Sequence, residues 1–206
     1  LPAFDAPLSE LNASDGELEI EGALVELKAP YEVRAERVQI SESDVRGLTL
    51  GAGSVPGMRL ADVVLSNCDL SNVDGREGSL VRAEIRACRL VGFALGGGMV
   101  RDVRVVDSAL ALSSFAYVGL RNVIFDRVNL REVSFMNARL QGVEFLDCQL
   151  EGADFRGVKL SSCAIRGSTL DGILGVESLK GLVMPWAEVL SSAAALAAAI
   201  GITIEE

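Results

Sequence analysis

Histidine is absent from the 206 residues. Its absence removes the Ser/His/Asp and Cys/His nucleophile systems and most zinc sites. Cysteine is scarce: Cys68, Cys88, Cys148 and Cys163 form no Cys-x-x-Cys pair. With no signal-peptide pattern upstream, that usage points to a reducing cytoplasm. No stretch reaches 18 apolar residues, which excludes a membrane-spanning helix. A content of 50% apolar and 23% charged residues excludes disorder as the main state. Positive charge is in deficit, and the net charge of −10 argues against nucleic acid as a direct ligand.

What the chain does have is a period. Of the 27 positions numbered in multiples of five from Ile40 to Leu170, only Gly75 lacks a large apolar side chain. Two residues before each of these stands a mostly small or β-branched residue, such as Val63, Cys68, Ala83, Ser113 or Val143, and neither column holds a charge. Five matches neither the 3.6 of a helix nor the 2 of a strand. The chain must therefore turn a corner in every quintet. Four right-angled sides close a square coil of about 20 residues, and coils stack at about 4.8 Å through backbone ladders. The expected class is an all-β solenoid of five-residue repeats.

The pattern resembles the pentapeptide-repeat family, whose motif is Ala, Asp or Asn, Leu, then two variable residues. It is seen in Ala61-Asp62, in Asn67-Cys68-Asp69-Leu70-Ser71 and from Glu151 to Gly157. The resemblance implies a right-handed quadrilateral β-helix over residues 33–177. Gly75, Phe93 in the small column, and Gly96-Gly97-Gly98 depart from the motif and predict local packing irregularity. Phe115, Phe135 and Phe155 are expected to stack on one side and Phe125 with Phe145 on the opposite side, as core. Cys68 and Cys88 are one coil apart with side chains pointing the same way, so all four thiols are expected buried and free.

Both ends of a solenoid need covering. Residues 1–32, with eight acids against Lys28, are read as an irregular acidic cap carrying a short strand. Residues 178–206 are read as a C-terminal helix that acts as cap and dimerisation element, with Pro185 at its first position and Gly201 as its stop. Trp186, Val189, Leu190, Ala193, Leu196, Ala197 and Ile200 fall at helical spacing. In the quinolone-resistance members of the family, a helix of this kind forms the homodimer contact, which implies the same use here.

The resemblance also raises DNA mimicry, because well-understood members bind DNA gyrase or topoisomerase IV in this way. Charge placement tests the idea. The coils hold 18 acids against 17 bases, so the acidity lies mostly in the cap. Arg59, Arg82, Arg101, Arg121, Arg139 and Lys159 put a cation on successive coils of one side, a basic face suited to an acidic partner. An acidic edge of Asp126, Glu132, Glu144, Asp147, Glu151 and Asp171 remains for a mimic. Neither set has a pocket, so no enzyme, metal or cofactor is expected, and Gly51-Ala52-Gly53 lacks the spacing of a phosphate loop and reads as a turn. The leading reading is a non-catalytic interaction or structural solenoid; the alternative is a gyrase-binding mimic.

Overall fold

A computed structural model describes residues 16–199 and 201–203. The chain winds as a parallel β-solenoid of about seven turns. The register is uniform at twenty residues: Leu60 pairs with Leu80, Leu80 with Val100, Val100 with Leu120, Leu120 with Leu140 and Leu140 with Leu160. Strands such as Ser79–Arg86, Met99–Val106, Gly119–Asp126 and Arg139–Leu146 run along a first face and round its corner onto a second. Single bridges such as Asn129 to Gln149 and Ser134 to Asp154 continue the ladder on the third and fourth faces. We number faces by their central residues: Leu60 and Leu80 on the first, Leu65 and Ile85 on the second, Leu70 and Leu90 on the third, Val55 and Leu95 on the fourth.

Two local devices turn the corners. Every residue two past a central one, from Gly57 to Gly172, has φ between 50 and 74°. That left-handed conformation suits Gly, Asn and Asp, which occupy most of these positions, but Leu112 and Tyr117 hold it too. Before the corner, an Asp or Asn side chain accepts from the backbone N–H two residues on. The N–H of Ser71 donates to Asp69 Oδ1 at 2.9 Å, and that of Arg156 to Asp154 Oδ1 at 3.0 Å. This bond is the physical reason for Asp or Asn ahead of the central residue.

Both inward columns are buried throughout the middle coils. Phe115, Phe135 and Phe155 stack at 5.7 and 5.3 Å, Phe125 and Phe145 at 5.3 Å, and the stacks meet edge to face across the axis at 5.7 to 6.3 Å. The departures from the motif resolve as an exchange of volume. Met58, fully buried, places its Cε 3.3 Å from where a Gly75 Cβ would stand. Phe93 is buried at 1%, and the neighbouring Leu95 side chain stands 3.1 and 3.2 Å from where a Cβ on Gly78 and on Gly98 would be. An apolar void of about 10 Å³, bounded by Phe93, Val100 and Phe115 among others, marks the change from aliphatic to aromatic core.

The expected cap over residues 1–32 needs correction where it can be seen, since residues 1–15 lie outside the described residues. Glu17–Glu21 pairs in register with Arg37–Ser41, burying Leu18 and Ile20 as any coil does. Leu24–Val33 follows on the next sides and slips register between Glu26 and Tyr31. Residues 16–33 are thus a coil with one irregular side. Alternating Leu18 and Ile20 already held the five-residue phase; the slip at Lys28-Ala29-Pro30 hid the continuation.

At the other end, Val176–Leu179 forms a 3-10 turn after Gly175, and the expected single helix is two, Trp186–Ser191 and Ala193–Ala199. Ser192, 5% exposed, interrupts them at φ −98° and ψ 4°. Pro185 is the residue before the first helical position, with extended backbone. Gly201, at φ 81°, donates to the Ala198 carbonyl while Ile202 donates to that of Ala197, which closes the helix as a glycine stop should.

Candidate interaction surfaces

Outward side chains on adjacent coils stand in register, so each meets its neighbour twenty residues away or two away on its own strand. Most arginines use this to find a carboxylate. Arg82 bonds both oxygens of Asp62, Arg127 those of Asp107, and Arg131 those of Glu151 across coils. Arg76 with Asp74, Arg86 with Glu84 and Arg156 with Asp154 pair along a strand. Hydrogen bonds from these guanidiniums hold the carboxyls of Asp62, Asp107, Asp154, Glu84 and Glu151 below the usual carboxylate range.

The first face is the exception. Arg59, Arg121, Arg139 and Lys159 have no carboxylate within 4.0 Å among the described residues. Arg101 reaches Asp102 only at 3.6 Å, and its Nε is buried without a hydrogen-bond partner. Of the six residues of the expected basic face, Arg82 stands at the corner and is neutralised by Asp62, and the other five point out of the face itself.

The acidic edge divides into two groups. Asp126 and Glu144 lie on the second face with Asp147 at its corner, while Glu151 and Asp171 lie on the third with Glu132 at its far corner. Asp126 is 7% exposed and clasped by Arg104 at 2.6 Å and Arg127 at 2.5 Å. Glu144 meets Arg166 at 3.5 Å and Glu151 meets Arg131 at 3.2 Å. Glu132, Asp147 and Asp171 have no ion pair among the described residues. The Arg104–Asp126 contact was not legible from spacing, because it joins residues 22 apart and not 20.

At the C-terminal end, ladder groups of the last coil are covered from within the chain. Gly157 N–H donates to Ser178 Oγ at 3.0 Å, Gly167 N–H to Glu188 Oε1 at 2.7 Å, and Ile165 N–H to the Val183 carbonyl at 3.0 Å. Ser178 and Glu188 carry no repeat signal, since the twenty-residue offset ends at Gly175. Of the expected dimer residues, Trp186 at 73% and Leu190 at 58% are exposed, Ala193 is exposed, and Val189, Leu196 and Ala197 are half-buried. Ile200 lies outside the described residues. Leu174, Val183 and Ile202 are exposed at the same end of the chain.

The interior also holds a polar ladder. On the third face the N–H of Cys68 donates to Cys88 Sγ at 3.3 Å, Cys88 N–H to Ser108 Oγ at 3.0 Å and Cys148 N–H to Ser168 Oγ at 2.9 Å. All four cysteines are free and buried, and burial pushes the Cys148 thiol up to about 11. We expect none of the four to react with a disulfide reagent in the native protein and all four to react in denaturant. Fast labelling of even one thiol without denaturant would show an accessible site.

A depression of about 580 Å³ follows the corner between the first two faces, lined by Asp62, Arg82, Asp102, Arg104 and Asn122 among others. It is open to solvent along the rod, and its polar groups bond one another: Arg82 to Asp62, Asn122 to Asp102. Among the described residues, no three His, Cys, Asp or Glu side chains are grouped to hold a metal ion, and no helix is long and apolar enough to cross a membrane.

A family model described as a pentapeptide repeat region matches residues 100–174. No curated protein sequence matches the chain. Among solved structures, the chain is similar to HetL, a pentapeptide repeat protein involved in heterocyst differentiation regulation from the cyanobacterium Nostoc sp. strain PCC 7120. The TM-score is 0.56 at 17% identity, over 82% of this chain and 87% of that one. A trypsin-treated form of QnrB1, a plasmid-mediated fluoroquinolone resistance protein, matches at TM-score 0.45 and 20% identity, over 91% of this chain and 90% of that one. HetL shares the fold, and the stretch that matches the pentapeptide-repeat model, residues 100–174, carries the five-residue register and the square coils it builds.

Proposed function

We propose that the chain is a non-catalytic protein-interaction rod that acts as a homodimer joined at its C-terminal end, in a reducing compartment such as the cytoplasm. The observation that carries the reading is the division of the side chains. Inward columns fill the interior, and outward residues form in-register rows on flat faces, which suit recognition of a surface and not enclosure of a small molecule. Affinity capture from the source cells tests it: the tagged protein should retain a partner at defined stoichiometry, and retention of nothing beyond a bare resin would overturn it.

Exposed Trp186, Leu190 and Val183 support the dimer, because large apolar groups clustered at one end gain most by mutual burial. Sedimentation should give twice the 21.8 kDa monomer mass. Trp186→Ser combined with Leu190→Asp should halve that mass; a wild-type monomer at high micromolar concentration would refute the dimer.

DNA gyrase is the partner the family resemblance suggests, and ion pairing weighs against it. A mimic must offer uncompensated carboxylates at duplex-like density, about one charge per 1.7 Å of axis. Asp126, Glu144 and Glu151 are bound by Arg104, Arg127, Arg166 and Arg131. Stoichiometric protein is therefore expected to leave gyrase supercoiling nearly unchanged. Potent inhibition that weakens with salt and disappears in Glu144→Gln/Asp147→Asn/Glu151→Gln would reverse this ranking.

A further inference from the structure

We infer that the first face, from Arg101 to Lys159, is a docking site for an extended acidic segment of a protein partner. The inference deepens the interaction reading and rests on it.

In a parallel ladder, residues in register on adjacent strands are direct neighbours, and like charges placed so repel. Here Arg101 pairs in register with Arg121, and Arg139 with Lys159. A chain that matches arginine to carboxylate along its other faces leaves these repulsions standing on one. Arg121, Arg139 and Lys159 have no ion pair among the described residues, and the buried Nε–H of Arg101, 3.6 Å from Asp102 Oδ2, makes no hydrogen bond. Local rules broken together at one place, without internal compensation, mark a site that something else completes.

The surroundings keep the face accessible. Its corner positions beside Arg121, Arg139 and Lys159 are Asn122, Gly142 and Ser162, uncharged; of the acids in that corner column, Glu42 and Asp62 belong to preceding coils and Asp102 stands beside Arg101 at the first coil of the site. Nothing within 4 Å would meet a Cβ built on Gly119, which lies in register between Met99 and Arg139, so the face is open at its middle.

Geometry selects the occupant. Four cations on four successive coils rise over about 14 Å at about 4.8 Å per coil. An extended peptide advances about 3.3 Å per residue, so three alternate side chains on one of its edges cover about 13 Å. Asp or Glu at alternate positions therefore spans the same length as the four cations. Nucleic acid suits the site less well: the basic surface is one face wide, and a long polyanion would also meet the field of a chain with net charge −10.

The test uses the intact protein and a fluorescein-labelled peptide of alternating Glu and Ser, with the Gln/Ser peptide and a short oligo-thymidine as comparators. The Glu/Ser peptide should raise fluorescence anisotropy on binding, and its affinity should fall about tenfold between low and physiological salt. The Gln/Ser peptide should not bind. Arg121→Gln/Arg139→Gln/Lys159→Gln should weaken binding about tenfold while melting no lower than wild type, since it removes repulsion. Arg131→Gln/Arg156→Gln, which alters paired arginines on other faces, should leave binding unchanged. Absence of Glu/Ser binding, indifference of binding to the triple variant, or tighter binding of oligo-thymidine than of peptide would each overturn the inference. Those outcomes with partner capture intact defeat this site alone; loss of capture by the wild-type protein defeats the broader reading.

Discussion

Phe135→Ala is expected to destabilise the protein by about 4 kcal/mol, the middle of the range for removing a buried aromatic ring. Phe135 is fully buried and touches both stacks at once, stacked on Phe115 and Phe155 and edge-on to Phe125 and Phe145. Its loss removes contacts on four sides, and the ladder bonds above and below keep the coils from collapsing into the space. Phe115→Ala, at the end of its stack, should cost less. Urea unfolding followed by circular dichroism measures both. Because each coil contacts only its neighbours, the Phe135 variant should also broaden the transition as the two halves begin to unfold separately. A cost for Phe135→Ala no larger than that for Phe115→Ala would mean that the two stacks do not act together.

Gly175→Ala should cost about 3 kcal/mol and loosen the C-terminal segment. Two effects add. The residue has φ 79°, unfavourable for any side chain by about 1–2 kcal/mol. A Cβ would also stand 2.3 Å from the Arg156 backbone nitrogen, which cannot step aside as a flexible side chain could, and forced overpacking of this kind costs about 1–3 kcal/mol. Relief requires lifting the chain off the last coil, which frees Ser178 from Gly157 and Glu188 from Gly167. Hydrogen exchange should quicken at the Gly157 and Gly167 amides in the variant, while amides of the central coils stay protected. Unchanged exchange at those two amides would show that the segment is held by other contacts.

The coils were legible because one physical requirement recurs. A quintet that buries two side chains and turns a corner leaves the same trace wherever it occurs, so Leu60, Phe125 and Leu150 announce their places by number alone. The Phe ladders and buried thiols followed from the same arithmetic. Three features were not legible. Pairing of Arg104 with Asp126 depends on which way a long side chain leans, and repeat phase does not fix that. Glu188 and Ser178 act on the ladder from outside the period. Charge counted face by face marked the first face as basic, but counting could not separate Arg82, held by Asp62, from Arg121 and Arg139, which have no ion pair among the described residues. The distinction between a paired and an unpaired cation is a property of contacts, and it decides which members of the basic column can bind anything.

The square cross-section also makes direction depend on length. Each quintet turns the chain by about a quarter of a revolution, and register returns only after twenty residues. Removal of residues 81–100, one complete circuit, would shorten the rod and leave the first face in the same orientation to the C-terminal helices. Removal of a single quintet from the stretch after Lys159 would swing those helices onto an adjoining side. In a dimer joined there, the two cationic faces would then point along new bearings. Quintet number thus works as an angular setting: in such a dimer it would fix how the two cationic faces are aimed relative to each other, independently of what either face binds.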